Sequence, residues 1–272
     1  MKLKINSKEV FASTGGRPFD KSKPLIIFIH GSGFDHTVWM LQTRYFAFHG
    51  FAVLALDLPG HGLSEGESLK SIEDMAEWLN KVVQSIGYSE ASLVGHSQGC
   101  LIGLEFAARY PKKIKTLSLM GASGSMPVNP ILLELADKND HKVVDLMMDW
   151  CHGPAGQFGT HCIPGMNHIY IGSALFTNKP IKSTLAIDLH ACNNYINGFE
   201  SAEKLQIPVL SILGDEDKMC SLKAGKKLSN VINNIEINII KSCGHMMHLE
   251  QADQILSILK KFIIKNYLFY KK

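Results

Sequence analysis

A serine set in Gly95-His96-Ser97-Gln98-Gly99 is the residue of this chain best placed to do chemistry. The apolar run Ala91 to Val94 leads into it, and a helical pattern of apolar residues follows at once (Cys100, Leu101, Leu104, Ala107, Ala108). A strand that turns into a helix through one serine leaves that residue little choice of backbone. The glycines two positions to either side remove the side chains that would block so tight a turn. The hydroxyl then stands at the top of a sheet, at the positive end of a helix, which suits a nucleophile. A serine hydroxyl is weak near neutral pH and needs a base within hydrogen-bond reach. Histidine, with an ordinary pKa of about 6.5, can take that proton and return it. A carboxylate must then fix the imidazole tautomer and stabilise the charged ring. His245 and His248 compete as the base; Asp215, Glu216 and Asp217 compete as the acid.

The elements that must position these groups are legible as period-2 and short buried runs. Lys8 to Ser13 alternates and suits an antiparallel edge strand. Leu25 to Ile29, Ala52 to Leu56, Ala91 to Val94, Ile114 to Met120, Val209 to Leu213 and Ile235 to Ile240 are short, apolar and rich in β-branched residues. Such runs fit a parallel sheet covered on both faces. Helical patterns lie between them. Ser71 to Ile86 carries one apolar stripe, with Ser71 as the cap and Gly87 as a left-handed stop. Ser97 to Tyr110 is a second helix, stopped before Pro111, and a last one runs from about Leu249 to Tyr267. This alternation predicts an α/β, doubly wound, mostly parallel sheet. From Gly124 to about Lys204 the rhythm disappears. Ile131 to Trp150 reads as a helix, loop residues follow, and another helix covers Ser183 to Tyr195. The predicted organisation is a core of residues 1–123 and 205–272, with a helical cap inserted at 124–204.

Five motifs, each directly after a strand, now carry a resemblance. They are His30-Gly31-Ser32-Gly33, Asp57-Leu58-Pro59-Gly60-His61-Gly62-Leu63-Ser64, Gly95-His96-Ser97-Gln98-Gly99, Gly214-Asp215-Glu216-Asp217 and Gly244-His245. In this order the chain resembles the α/β-hydrolase superfamily over nearly its whole length. The resemblance implies a catalytic triad of Ser97, Asp217 and His245, all at the carboxyl ends of strands, where open α/β sheets bind ligands. It places the base on His245 rather than His248, and the acid on Asp217, three residues after the glycine. It also implies two backbone N–H donors for the oxyanion, those of Gln98 and Ser32, with Gly33 and Phe34 as weaker sources. His96 is expected to support the turn and His61 to be structural.

Substrate-pocket candidates are Gly33, Phe34, Trp39, Trp150, Met166 and Met246, with Met40, Phe158, Tyr170 and Met247 as further wall residues. Core packing competes with substrate contact at each of them. Cys151, His152, His161, Cys162 and His168 match no regular zinc spacing, so no metal is expected. Six cysteines occur without a Cys-x-x-Cys pair, and Met1 to Phe11 has no leader-like apolar block. A cytoplasmic protein with reduced thiols is the expectation. The net charge of +3 comes from scattered basic residues and gives no footprint for nucleic acid. No run nears the roughly 18 apolar residues of a membrane span, and the tail Phe262 to Lys272 suits packing on the core.

The expected activity is hydrolysis of a carboxylic ester or thioester of a small or medium-sized substrate through an acyl-enzyme, with no metal or organic cofactor. Acyl transfer, carbon–carbon bond hydrolysis in a diketone, and ligand binding by a receptor of the same fold stay open as rivals. Dehalogenase or epoxide hydrolase chemistry is disfavoured, since that resemblance requires Asp where Ser97 stands. A homodimer is left open.

Overall fold

The computed structural model describes residues 1–157 and 184–268. Eight strands form one sheet in the order β1-β2-β4-β3-β5-β6-β7-β8. β1 is Lys2–Ile5, β2 Lys8–Ser13, β3 Leu25–Ile29 and β4 Ala52–Leu56. β5 is Ala91–His96, β6 Ile114–Met120, β7 Val209–Gly214 and β8 Ile235–Ile240. β1 and β2 run antiparallel to their neighbours, and every pairing from β4 through β8 is parallel.

Alternation along β3 shows why its sequence is continuously apolar. Leu25, Ile27 and Ile29 enter the core on one face, Ile26 and Phe28 that on the other, and all five are buried. The first face is covered by α2 (Ile72–Ile86) and α3 (Gln98–Arg109). The second is covered by α1 (Met40–Phe48) and α9 (Ala252–Leu268). α2 begins where Ser71 Oγ accepts the Asp74 N–H at 3.1 Å and ends at Gly87, φ 73°.

Between β6 and β7 lie α4 (Pro130–Asp137), α5 (Lys142–Cys151), one turn at Pro154–Gln157, α6 (Thr184–Asn194) and α7 (Gly198–Glu203). α8 (Leu222–Ser229) follows β7. No helix among the described residues is long and apolar enough to cross a membrane.

Three expectations change. Lys8 to Ser13 is not the edge: β1 lies outside it, joined by a two-residue turn at Asn6 and Ser7 with φ 48° and 65°. The predicted helix Ile131 to Trp150 is two helices, because Asn139 takes a left-handed φ of 53° between them. The terminal helix is interrupted at Gln251, φ −130°, after a single turn at Met247–Glu250.

The chain winds from β3 outward to β4, then crosses back to β5. The carboxyl ends of β3 and β5 therefore flank the point where strand order reverses, the place where such sheets open a crevice. His30-Gly31-Ser32 leaves one end, and His96-Ser97 leaves the other.

Candidate active site

Ser97 joins β5 to α3 with φ 52° and ψ −118°, a conformation a side chain rarely adopts. Its surroundings require glycines. A Cβ on Gly95 would lie 2.4 Å from the Gly99 carbonyl oxygen, and one on Gly99 would lie 2.3 Å from that of Ile29. The Ser97 N–H donates to Met120 O at 2.9 Å, which ties the turn to β6. α3 starts immediately after Ser97, so its first amides have no carbonyl one turn back.

His245 follows β8. Its Nδ1–H donates to Asp217 Oδ2 at 2.7 Å, with both side chains almost fully buried. Asp217 Oδ1 accepts the N–H groups of Met219 and Cys220 at 2.8 and 2.7 Å. The carboxylate is thus held from both sides, and the ring keeps its proton on Nδ1, leaving Nε2 as the free lone pair. Ser97 and His245 line one cavity of about 170 Å³. No hydrogen bond joins the Ser97 hydroxyl to the His245 ring, and in serine hydrolase sites this contact commonly tightens only when substrate binds.

The competing residues go elsewhere. His248 is buried and stacks on Trp39, ring centroids 4.6 Å apart; burial lowers its pKa to about 3 and holds it neutral. Asp215 pairs with Lys241 at 3.3 Å, at the surface. Asp217 alone of the three acids meets the imidazole. His96 donates from Nε2 to the His245 carbonyl oxygen at 3.0 Å and is neutral through burial, so it supports the His245 turn.

Among the described residues, the N–H groups of Ser32 and Gln98, both near Ser97, have no hydrogen-bond acceptor. The weaker candidates are spent: Gly33 N–H donates to Asp188 Oδ2 at 2.8 Å and Phe34 N–H to Gly31 O at 3.2 Å. A Cβ on Gly31 would lie 3.2 Å from Ser97 Cβ, so this loop runs close beside the serine.

The helices between β6 and β7 hold the site from two directions. Cys151 O accepts the N–H groups of His245 and Met246 at 2.7 and 3.0 Å. Glu250, buried, accepts those of Gly153 and Gly244 at 2.9 and 3.1 Å. On the opposite side, α6 brings Asp188 to the Ser32-Gly33 loop. Asp188 escaped the sequence analysis. Its one signal was a lone carboxylate inside the apolar stretch Leu185 to Cys192.

The apolar part of the cavity wall is Phe34 and Trp150, both among the sequence candidates, with Leu132, Met147, Leu189 and Met219. Asn129 and Lys218 also border it, and were missed because nothing in the sequence marks a loop residue as facing a cavity. Other pocket assignments are corrected. Trp39 and Met246 are fully buried in the core on the second sheet face, as is Met247, and none lines the cavity. Trp39 packs on Phe28 as well as His248. Gly33 serves through its amide rather than as a wall, and Met40 is half exposed on the surface. Met166, Phe158 and Tyr170 lie outside the described residues, as do His161, Cys162 and His168. Of the other metal-ligand candidates, Cys151 lines the cavity and His152 bonds the Met148 carbonyl oxygen at 2.9 Å. The five described cysteines are buried and free, and burial pushes Cys192 up to about 12. Among the described residues one set of metal-ligating types clusters, Asp35, His36 and Asp57, and its members bond each other and the backbone.

The family model described as alpha/beta hydrolase fold matches residues 24–156. A 2-hydroxy-6-oxononadienedioate/2-hydroxy-6-oxononatrienedioate hydrolase of Paraburkholderia phymatum is 23% identical, over 89% of this chain and 87% of its own. A solved thermophilic esterase superposes with TM-score 0.78 at 25% identity, covering 98% and 97% of the two chains. The enol-lactonase of Burkholderia xenovorans LB400 superposes with TM-score 0.86 at 20% identity, covering 97% and 100%.

Proposed function

The chain belongs to the α/β-hydrolase superfamily, and we propose that it is a serine hydrolase cleaving a carboxylic ester or thioester. Ser97 is the nucleophile, His245 the base and Asp217 the acid that orients it. His245 Nε2 takes the hydroxyl proton as Ser97 Oγ attacks the acyl carbon. The amides of Ser32 and Gln98 receive the negative oxygen of the tetrahedral intermediate; losing one such donor typically costs about 3–4 kcal/mol of barrier. The imidazolium gives its proton to the departing alcohol or thiol. It then takes one from water, which releases the acid and frees Ser97.

The observation that carries this reading is the Asp217–His245 bond of 2.7 Å, facing the cavity that also holds the strained Ser97. The helices inserted at 124–204 act as a cap over that cavity and contribute its apolar wall. A volume of about 170 Å³ is small beside the roughly 300–1,000 Å³ of drug-sized ligand sites, which favours a short acyl group.

A second reading, cleavage of a carbon–carbon bond by the same residues, is favoured by the likeness to the Paraburkholderia hydrolase. A series of p-nitrophenyl esters and acyl thioesters of increasing chain length, run with and without Ser97→Ala, tests the proposal. Turnover of the short esters that disappears in the variant is the expected result. Unchanged turnover in Ser97→Ala would remove Ser97 from the mechanism. Turnover of a vinylogous diketone but of no ester would favour the second reading.

A further inference from the structure

α6 lies directly against the loop that carries the Ser32 amide. Leu185, Asp188, Leu189 and Cys192 share one face of this helix, at the three- and four-residue spacing that aligns side chains. A Cβ on Gly33 would lie 3.0 Å from Leu185, Cys192 Sγ sits 3.6 Å from Ser32 Oγ, and Leu189 lines the cavity. Asp188 stands in the middle. Its Oδ2 accepts the Gly33 N–H at 2.8 Å, and its backbone carbonyl accepts Gln98 Nε2 at 3.4 Å. One residue thus contacts both segments whose amides are the proposed oxyanion donors.

We infer that Asp188 is a positioning residue for the oxyanion hole, with His61 as the buried hydrogen-bond partner that holds its carboxylate in place; this rests on the proposed role of Ser97. Fixing the Gly33 N–H fixes the peptide plane that follows Ser32, and the Ser32 amide, in the plane before it, is then constrained through the two soft torsions of Ser32 alone. Gly33, at φ 73°, has no side chain of its own to hold that plane.

Asp188 is fully buried, where an uncompensated carboxylate is untenable. His61, also buried, points Nε2 at Asp188 Oδ2, 2.8 Å away, and Nδ1 at Pro59 O, 3.0 Å away. Both ring nitrogens face acceptors, so the ring carries both protons. Burial opposes that charge; Asp188, through attraction and its hydrogen bond, outweighs burial, and the His61 pKa is raised. The other titratable neighbours are Asp57, which also favours the charge, and His30. His30 is neutral, lowered to about 4 by burial and by His61. It donates from Nδ1 to Gly31 O at 2.8 Å and accepts the Leu58 N–H on Nε2 at 3.2 Å. The contacts thus run from the Pro59-Gly60-His61 loop through Asp188 of α6 to Gly33 and the Gln98 side chain.

The test measures steady-state kinetics on a short p-nitrophenyl ester, with kcat expressed per active site titrated by a fluorophosphonate. A partly unfolded sample then does not count as slow enzyme. In Asp188→Ala, kcat is expected to fall about 10²–10³-fold, the loss typical of one oxyanion donor, with KM changed less than threefold. Asp188→Asn keeps an oxygen for the Gly33 N–H and recovers at least tenfold of that loss. An alkyl boronate, whose serine adduct places an oxygen in the oxyanion hole, binds correspondingly more weakly to Asp188→Ala.

If Asp188→Ala does not fold, two double variants replace it, since neutralising both partners of a buried pair is tolerated better than removing one. His61→Leu with Asp188→Leu lacks the acceptor and loses the same factor in kcat. His61→Gln with Asp188→Asn keeps the acceptor and retains at least a tenth of wild-type kcat. A kcat per titrated site within threefold of wild type in Asp188→Ala or the double leucine variant overturns the inference. So does equal loss in the acceptor-keeping and acceptor-lacking variants. Ser97→Ala separates the two levels: if it still turns over, the proposed function fails. If it is dead while Asp188→Ala is fully active, only the role of Asp188 fails.

Discussion

Replacing Asp217 by Asn changes one atom and, by the geometry around it, inverts the histidine. Oδ1 of Asp217 accepts two backbone N–H groups at 2.8 and 2.7 Å, and Oδ2 faces His245 Nδ1 at 2.7 Å. The asparagine oxygen takes the position between the two amides, because the alternative sets an NH₂ against two donors. Its NH₂ then faces His245 Nδ1 and can only donate. Nδ1 must give up its proton and Nε2 must carry one, so the ring can no longer deprotonate Ser97. Inverting this tautomer in a Ser-His-Asp site lowers kcat about 10⁴-fold, or about 5 kcal/mol of barrier. KM stays close to wild type, since no substrate contact changes. Asp215→Asn is the control. Its partner Lys241 is largely exposed, and such pairs contribute at most about 1 kcal/mol, so turnover holds within about threefold. The assay is ester turnover per titrated site, with circular dichroism confirming the fold. A kcat for Asp217→Asn within tenfold of wild type, or a larger loss in Asp215→Asn, would refute the reasoning.

Packing and titration give three further expectations. Gly99→Ala sets a Cβ 2.3 Å from Ile29 O and 2.9 Å from His30 O, both backbone; urea unfolding should show a loss of about 3 kcal/mol or more. Gly87→Ala meets nothing within 4 Å and bears only the left-handed strain of about 1–2 kcal/mol. Trp39→Ala should lower unfolding free energy by about 3–5 kcal/mol and leave the KM of the remaining folded enzyme unchanged. Trp150→Ala should instead shift KM and chain-length preference with a smaller loss of stability, because it borders the cavity and is only partly buried. Acid should destabilise the fold through its buried neutral histidines. Burial lowers His30 to about 4 and His248 to about 3, and holds His96 well below its ordinary value. The unfolded chain binds these protons below about pH 6.5 and the folded chain does not, so stability falls as pH drops from about 6.5 to 4. His61 has the opposite sign: its contribution is complete below about 6.5 and is lost as pH rises through its elevated native value. Removing one buried proton site with His248→Phe should flatten the acid slope by up to about 1.4 kcal/mol per pH unit. An unchanged slope would mean that His248 is not neutral in the fold.

Most of the sheet was legible because a strand buried on both faces must be apolar throughout, as Leu25–Ile29 is. The Ser97 turn was legible because its constraint is local: Gly95 and Gly99 meet backbone within four residues or at the neighbouring strand end. Asp217 and His245 were separated from Asp215, Glu216 and His248 only by the family resemblance, because all five follow the same two strands and no local constraint in the sequence distinguishes them. What escaped depends on orientation rather than composition. Trp39 and Phe34 stand five residues apart on the same stretch, yet one packs on Phe28 and the other borders the cavity. β1 was missed because its turn, Asn6-Ser7, lacks the glycine that usually marks a two-residue hairpin. The break at Asn139 hid inside a sound helical pattern. Asp188 was invisible because its partners, Gly33 and His61, lie 155 and 127 residues away in the chain.

The central claim is that Ser97 is activated by His245 at the cavity floor. Its most direct measurement is mass spectrometry of the intact and digested protein after treatment with an alkyl fluorophosphonate. A single adduct is expected on the peptide carrying Ser97, absent in Ser97→Ala and formed at least a hundredfold more slowly in His245→Ala. An adduct on another residue, or an unmodified Ser97 in a preparation that turns over esters, would contradict it.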